Sequence, residues 1–180
     1  EVADYARSVG VSVAGVSGKV VANLGEMNMY NFETGVKGLA KMAATSERLG
    51  ISMDHVFQQA ENLMNPEKAI DMSAALQRLG VTSSGLLDPL RAMDMAQNDP
   101  EALQKEMVNL GKEFTTFNEK TGKMEILPGA KRRMREVADA VGMTGKEFAA
   151  MALKSADFEM KLKQIKMPNF AGDDETKELI

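Results

Sequence analysis

The chain has 180 residues, enough for one core of ordinary size or two small ones, and its 22 Lys plus Arg against 26 Asp plus Glu leave a net charge of −4. That balance argues against a general attraction to nucleic acid or anionic membrane, and the lack of cysteine excludes disulfides and thiolate metal sites. No apolar run approaches the roughly 20 residues of a membrane-spanning helix.

Fifteen Met accompany only two Tyr and no Trp, and the apolar content rests on Ala, Leu, Val and Met. Such side chains pack helices well and sheets poorly, so the expected class is all-α. Methionine fills irregular gaps in a core and also makes adaptable contact surfaces; core placement is the expectation here.

In chain order, residues 1–30 predict an N-terminal helical segment. Val9, Val13, Val16, Val20 and Leu24 step by four, three, four and four, interrupted by Gly10-Val11-Ser12. Residues 31–166 predict a compact helical domain. Leu39, Met42, Ser46 and Leu49 form its first face, with Ala40, Ala43 and Ala44 allowing close approach. Met53, Val56, Ala60 and Leu63 form the next, followed by Ala69, Met72, Leu76 and Leu79. Leu103, Met107, Leu110 and Phe114 make a further stripe, and Ala130, Met134, Val137 and Val141 another.

Two kinds of punctuation divide these faces. Gly10-Val11-Ser12, Gly50-Ile51-Ser52, Gly80-Val81-Thr82 and Gly142-Met143-Thr144 share the order glycine, apolar, Ser or Thr. Glycine in the left-handed conformation closes the helix, the apolar residue folds back on it, and the hydroxyl is expected to cap the next helix. Only Thr144 has a glutamate three residues on, Glu147, to complete a capping box. The second kind is Asn65-Pro66, Asp88-Pro89 and Asp99-Pro100, each a capping side chain before a proline in the first turn.

"FTTFNEKTGKMEILPG" breaks the helical period, and β-branched and aromatic residues around Thr121-Gly122 predict a small β-hairpin near 114–127. The last helix carries Phe148, Met151, Ser155, Phe158, Leu162 and Ile165, a near-heptad seam read first as core and second as a partner-facing stripe. Residues 167–180 read as an acidic tail or linker. The opening on Glu1 and the close on "DDETKELI" predict a piece of a longer protein. The expected whole is seven or eight short helices with one hairpin.

The chemistry is sparse. His55 is the single histidine and reads as a helix-surface residue. Glu47 follows Ser46 in the reverse of the order that helical peptidoglycan-cleaving enzymes use for their general acid. No phosphate loop, zinc motif or calcium loop occurs. "YARSVGVSVAGVSGKVV" resembles the helix-turn-helix of LacI-type repressors, with Val16, Ser17 and Val20 where such a second helix packs. Its exposed positions are Val13, Ala14, Gly15 and Gly18, with Lys19 the only cation, which suits phosphates poorly. "KRRMR" at 131–135 is the one basic cluster; it reads as a solvated helix face or as a dock for an acidic partner.

The runs "MNMYNFETGVKGLAKMAATSERLGIS", "NPEKAIDMSAALQRLGVTSSGLLDPLRAMDMAQNDPEALQKEM" and "FNEKTGKMEILPGAKRRMREVADAVGM" resemble tail tape measure and tail structural proteins of large tailed bacteriophages, over residues 5–150. The resemblance implies a mostly helical virion structural protein that helps assemble the tail or set its length, acting in several copies. It implies partners among tube, baseplate, tail-tip and chaperone proteins, self-association, and location in the virion tail after assembly in the host cytoplasm. No catalytic, cofactor-binding or metal residue comes with that role, and the expectation is a chain that is not an enzyme. Even wholly helical, 180 residues span only about 270 Å, and the corners forbid one rod. The stretch is therefore expected to be a compact module within a longer ruler. A helix-turn-helix regulator that binds DNA is the alternative, and a helical cell-wall hydrolase the third.

Overall fold

The structure, a computed structural model, describes residues 2–165, the last two by backbone alone. The expected tail at 167–180 and the side chain of Ile165 lie outside the described residues.

The elements are α1 (Val2–Ser8), α2 (Val13–Ala22), a 3₁₀ turn (Leu24–Asn28), α3 (Val36–Leu49), α4 (Met53–Leu63), α5 (Pro66–Arg78), a second 3₁₀ turn (Gly85–Leu87), α6 (Pro89–Asn98), α7 (Pro100–Lys112), β1 (Thr115–Asn118), β2 (Lys123–Ile126), α8 (Lys131–Ala140) and α9 (Gly145–Ile165). The fold is all-α with a single two-stranded hairpin among the described residues. Among the described residues, nine α-helices exceed the seven or eight expected. Asp99-Pro100 splits residues 89–112 into α6 and α7, and the seven residues of α1 form a helix of their own.

Three of the four glycine corners close in the same way. After α5, Val81 N–H donates to Leu76 C=O (3.1 Å) and Gly80 N–H to Gln77 C=O (3.0 Å). The pairs Val11 to Ala6 and Gly10 to Arg7 repeat this after α1, and Met143 to Ala138 and Gly142 to Asp139 repeat it after α8. That crossed pair is the Schellman closure, and it requires a left-handed residue, met by Gly80 at φ 73°. The α3 corner differs. Gly50 N–H makes one bond, to Ser46 C=O (2.9 Å), and the Ser46 hydroxyl donates to Ile51 C=O (2.6 Å), tying the apolar residue down with a side chain instead.

The caps after the corners divide. Ser12 accepts from Gly15 N–H (3.1 Å), and Thr144 and Glu147 form the complete reciprocal box. Ser52 makes no side-chain cap bond to α4, and Thr82 precedes no helix directly. Ser84 caps the 3₁₀ turn there, accepting from Leu86 N–H (3.1 Å), because Thr82 and Ser83 lie in the non-helical stretch between α5 and that turn. The three Asx-Pro starts behave as expected. Asn65, Asp88 and Asp99 accept from Glu67, Leu90 and Ala102 N–H at 3.0, 2.9 and 3.0 Å.

The hairpin pairs Thr115 with Ile126 and Asn118 with Lys123. Leu127 N–H donates to Phe114 C=O (2.8 Å), which ties the hairpin base to the core. Phe114 and Phe148 meet edge to face at 6.0 Å, both fully buried, joining the end of α7 to α9. Burying each phenyl ring stabilises by about 1.5–3 kcal/mol. Among the described residues eight methionines are buried, from Met42 on α3 to Met151 on α9, as gap-filling side chains should be. Ala6, Val16 and Val20 from α1 and α2 belong to the same continuous core as Leu39 and Met42.

Along α9 the seam is core in its first half only. Phe148, Met151 and Ser155 are buried, Phe158 lies under the Arg48 guanidinium at 4.1 Å, and Leu162 is 37% exposed. The helix starts in the body and extends past it.

Candidate docking groove

The basic run at 131–135 opens α8 without a side-chain cap, at the helix end where the backbone dipole already favours anions. Three cations in that first turn are unfavourable for the isolated helix, so their placement calls for compensation. For Arg133 the compensation is internal. Its Nε donates to Leu79 C=O (2.5 Å), and one terminal nitrogen donates to Gly80 C=O (2.8 Å) and Glu113 (3.0 Å). The guanidinium also sits 5.0 Å from the Phe114 ring. Arg133 thus satisfies the end of α5 and ties it to the end of α7, a favourable use of a cation at a helix C-terminus. Part of the cluster read as solvated is therefore an inward staple.

Arg132 reaches Glu136 one turn on (3.0 Å), an exposed pair. Lys131 and Arg135 have no carboxylate within salt-bridge range among the described residues, and neither does Lys146 on α9. These three line a groove of about 540 Å³ between α8 and the start of α9. Ile126, Met134 and Ala149 supply apolar lining, and Asp139 is the single acid. Gly145 makes the geometry possible, since a Cβ there would lie 2.7 Å from Arg135 Cγ. The stem of Arg135 crosses the start of α9 where any side chain would push it away. Beside the groove, hydrogen bonds from the Thr144 hydroxyl and N–H hold the Glu147 carboxyl below its ordinary 4.5.

A second surface stands out at the junction of α2 and the first 3₁₀ turn. Val21, Leu24 and Met29 are 69%, 44% and 74% exposed within nine consecutive residues. Tyr30 follows, stacked on Phe57 at 5.4 Å and donating to Phe57 C=O (3.2 Å). Burial raises the Tyr30 hydroxyl above its ordinary pKa, and the nearby charges of Glu26 and Glu61 push it the same way. Glu26 lies within the span of the apolar strip, and Glu61 bears on Tyr30 from α4.

The other residues singled out in the sequence have plain structural roles. Val16 and Val20 are buried, whereas Lys19 is paired with Glu47 at 2.8 Å, so the lone cation of the repressor-like helix faces α3. Glu47 is thereby engaged on a part-exposed surface, and a Cβ on Gly15 would strike its carboxyl at 2.6 Å. His55 is half-buried on α4. No group of three or more His, Cys, Asp or Glu suited to a metal ion occurs among the described residues. Lys146, Val21 and Met29 escaped the sequence reading. Leu24, expected to end the apolar helix face of the first segment, instead lies exposed on the first 3₁₀ turn because α2 stops at Ala22. The signal for the groove was present in the run Lys131-Arg132-Arg133, which violates the dipole preference of the helix it opens. Comparison with family models, curated proteins and solved structures returned no match.

Proposed function

We propose that this chain is a docking module of a tail tape measure-like protein, which helps assemble the virion tail by holding other tail components and acts by binding, without catalysis. The resemblance over residues 5–150 supports the tail setting. The observation that carries docking is the groove at the α8–α9 corner, where Lys131, Arg135 and Lys146 have no acidic partner among the described residues and stand over apolar lining. Cations kept in that arrangement suit an acidic protein surface, which they steer and orient more than they tighten.

The test is fluorescence anisotropy with labelled poly-glutamate and the 180-residue chain. Reversing Lys131, Arg135 and Lys146 to Glu is expected to weaken binding at least about tenfold, one decade being about 1.4 kcal/mol. Unchanged affinity would remove the groove from the reading. Tighter, steeply salt-dependent binding of a DNA duplex would favour the helix-turn-helix alternative instead. The tail setting predicts stoichiometric association with tube, baseplate or tail-tip proteins, and release of muropeptides from cell wall would refute it.

A further inference from the structure

We propose that the groove receives a second copy of this chain, which inserts the apolar strip Val21–Leu24–Met29 with Glu26 and Glu61 toward Lys131, Arg135 and Lys146. This rests on the docking reading and names its partner.

Three observations converge. The strip gathers three of the nine large apolar side chains left exposed among the described residues, so its solvent exposure is concentrated rather than scattered. Two acids belong to the same end of the molecule: Glu26 lies within the strip's own span, where Tyr30 N–H bonds to its C=O (2.9 Å), and Glu61 stands one turn beyond Phe57, which accepts the Tyr30 hydroxyl. The groove offers the complement, apolar Ile126 and Ala149 with three cations that no described carboxylate pairs. The groove takes three of the chain's 22 cations and one of its 26 acids, which leaves 19 against 25 elsewhere. A second copy thus presents an acidic body to a basic groove. A nucleic acid or phosphate surface would satisfy the cations and leave the apolar lining without a partner.

Strip and groove are different surfaces, so the contact is heterologous and runs head to tail, closing into a ring or extending as a row. Sedimentation velocity tests this directly. The wild-type chain at about 50 mM salt is expected to grow past dimer with concentration, and about 500 mM salt should weaken growth at least about tenfold by screening. The triple Lys131→Glu, Arg135→Glu, Lys146→Glu variant and the double Leu24→Lys, Met29→Lys variant should each be monomeric, with circular dichroism like wild type because all five positions are on the surface. Mixed together, they retain one intact strip and one intact groove and should form a 1:1 dimer that grows no further. A wild-type chain that stays monomeric, or a strip variant that assembles as wild type does, overturns the proposal. If poly-glutamate still binds the groove of a monomeric wild type, self-docking fails while docking stands; if it does not, both fail.

Discussion

Replacing Gly111 with Ala should loosen the contact on which α9 rests. Gly111 lies in the last turn of α7, and a Cβ built there would be 2.8 Å from Ala152 Cβ and 3.0 Å from Ala152 Cα. Carbon atoms in contact prefer about 3.5–4.0 Å, so the helices must part by roughly 0.5–1 Å. Ala152 has no side-chain torsion with which to yield, and α9 is held in place by Phe148 and Met151. Overpacking of this kind costs about 1–3 kcal/mol. Against it stands the helix preference of Ala over Gly, up to about 1 kcal/mol. The expected net loss is about 1–2 kcal/mol, or roughly 2–8 °C in Tm for a chain of this size. Gly18 provides the control. It is exposed inside α2, and a Cβ there meets nothing within 4 Å, so Gly18→Ala should stabilise by about 0.5–1 kcal/mol. Urea unfolding of both variants separates packing from propensity, because the same substitution moves the midpoint in opposite directions. Adding Ala152→Gly to Gly111→Ala should recover part of the loss as a coupling of about 1 kcal/mol. Equal midpoints for the two Ala variants, or no coupling, would refute the close-crossing argument.

Arg133→Met should destabilise by about 1.5–3 kcal/mol through its lost charge-assisted bonds to Leu79, Gly80 and Glu113. Arg133→Lys should retain less than half of that stability, since one ammonium cannot serve three acceptors in a planar fork; chemical denaturation reads both, and a fully stable Lys variant would contradict the staple. Glu147 provides a pH dependence. Its carboxyl is held below 4.5 in the folded chain, so its contribution is present above that value and is lost as the pH falls through the lower folded pKa. Thr144→Ala removes the hydroxyl donor, and its stability should therefore fall less steeply than wild type below pH 4.5; parallel pH profiles would show that the box does not carry the shift.

Local chemistry marked nearly every joint. Asn65, Asp88 and Asp99 before proline start helices because the cap and the missing N–H act within one turn, whatever surrounds them. The glycine corners close because a left-handed residue is required at the spot where the chain supplies one, and the hairpin at 115–126 follows from a break in the period. Both kinds of feature depend on neighbours three or four residues away, so a linear reading reaches them.

Tertiary structure decided what each polar side chain is for. Ser52 and Thr82 occupy the same place in the motif as Ser12, yet only Ser12 of the three caps, because no helix follows Thr82 directly and Ser52 directs no bond into α4. Arg133 could not be separated from Lys131 and Arg135 by pattern, since its partners on α5 and α7 are 54 and 20 residues away. Lys146 joins the groove only because the Gly142 corner folds α9 back beside α8. Sequence alone thus determined the glycine corners and the Asx-Pro helix starts, through forces acting over one turn. Which charges are spent inside and which remain for a partner was set by long-range packing, because an ion pair requires two distant segments to arrive at the same place.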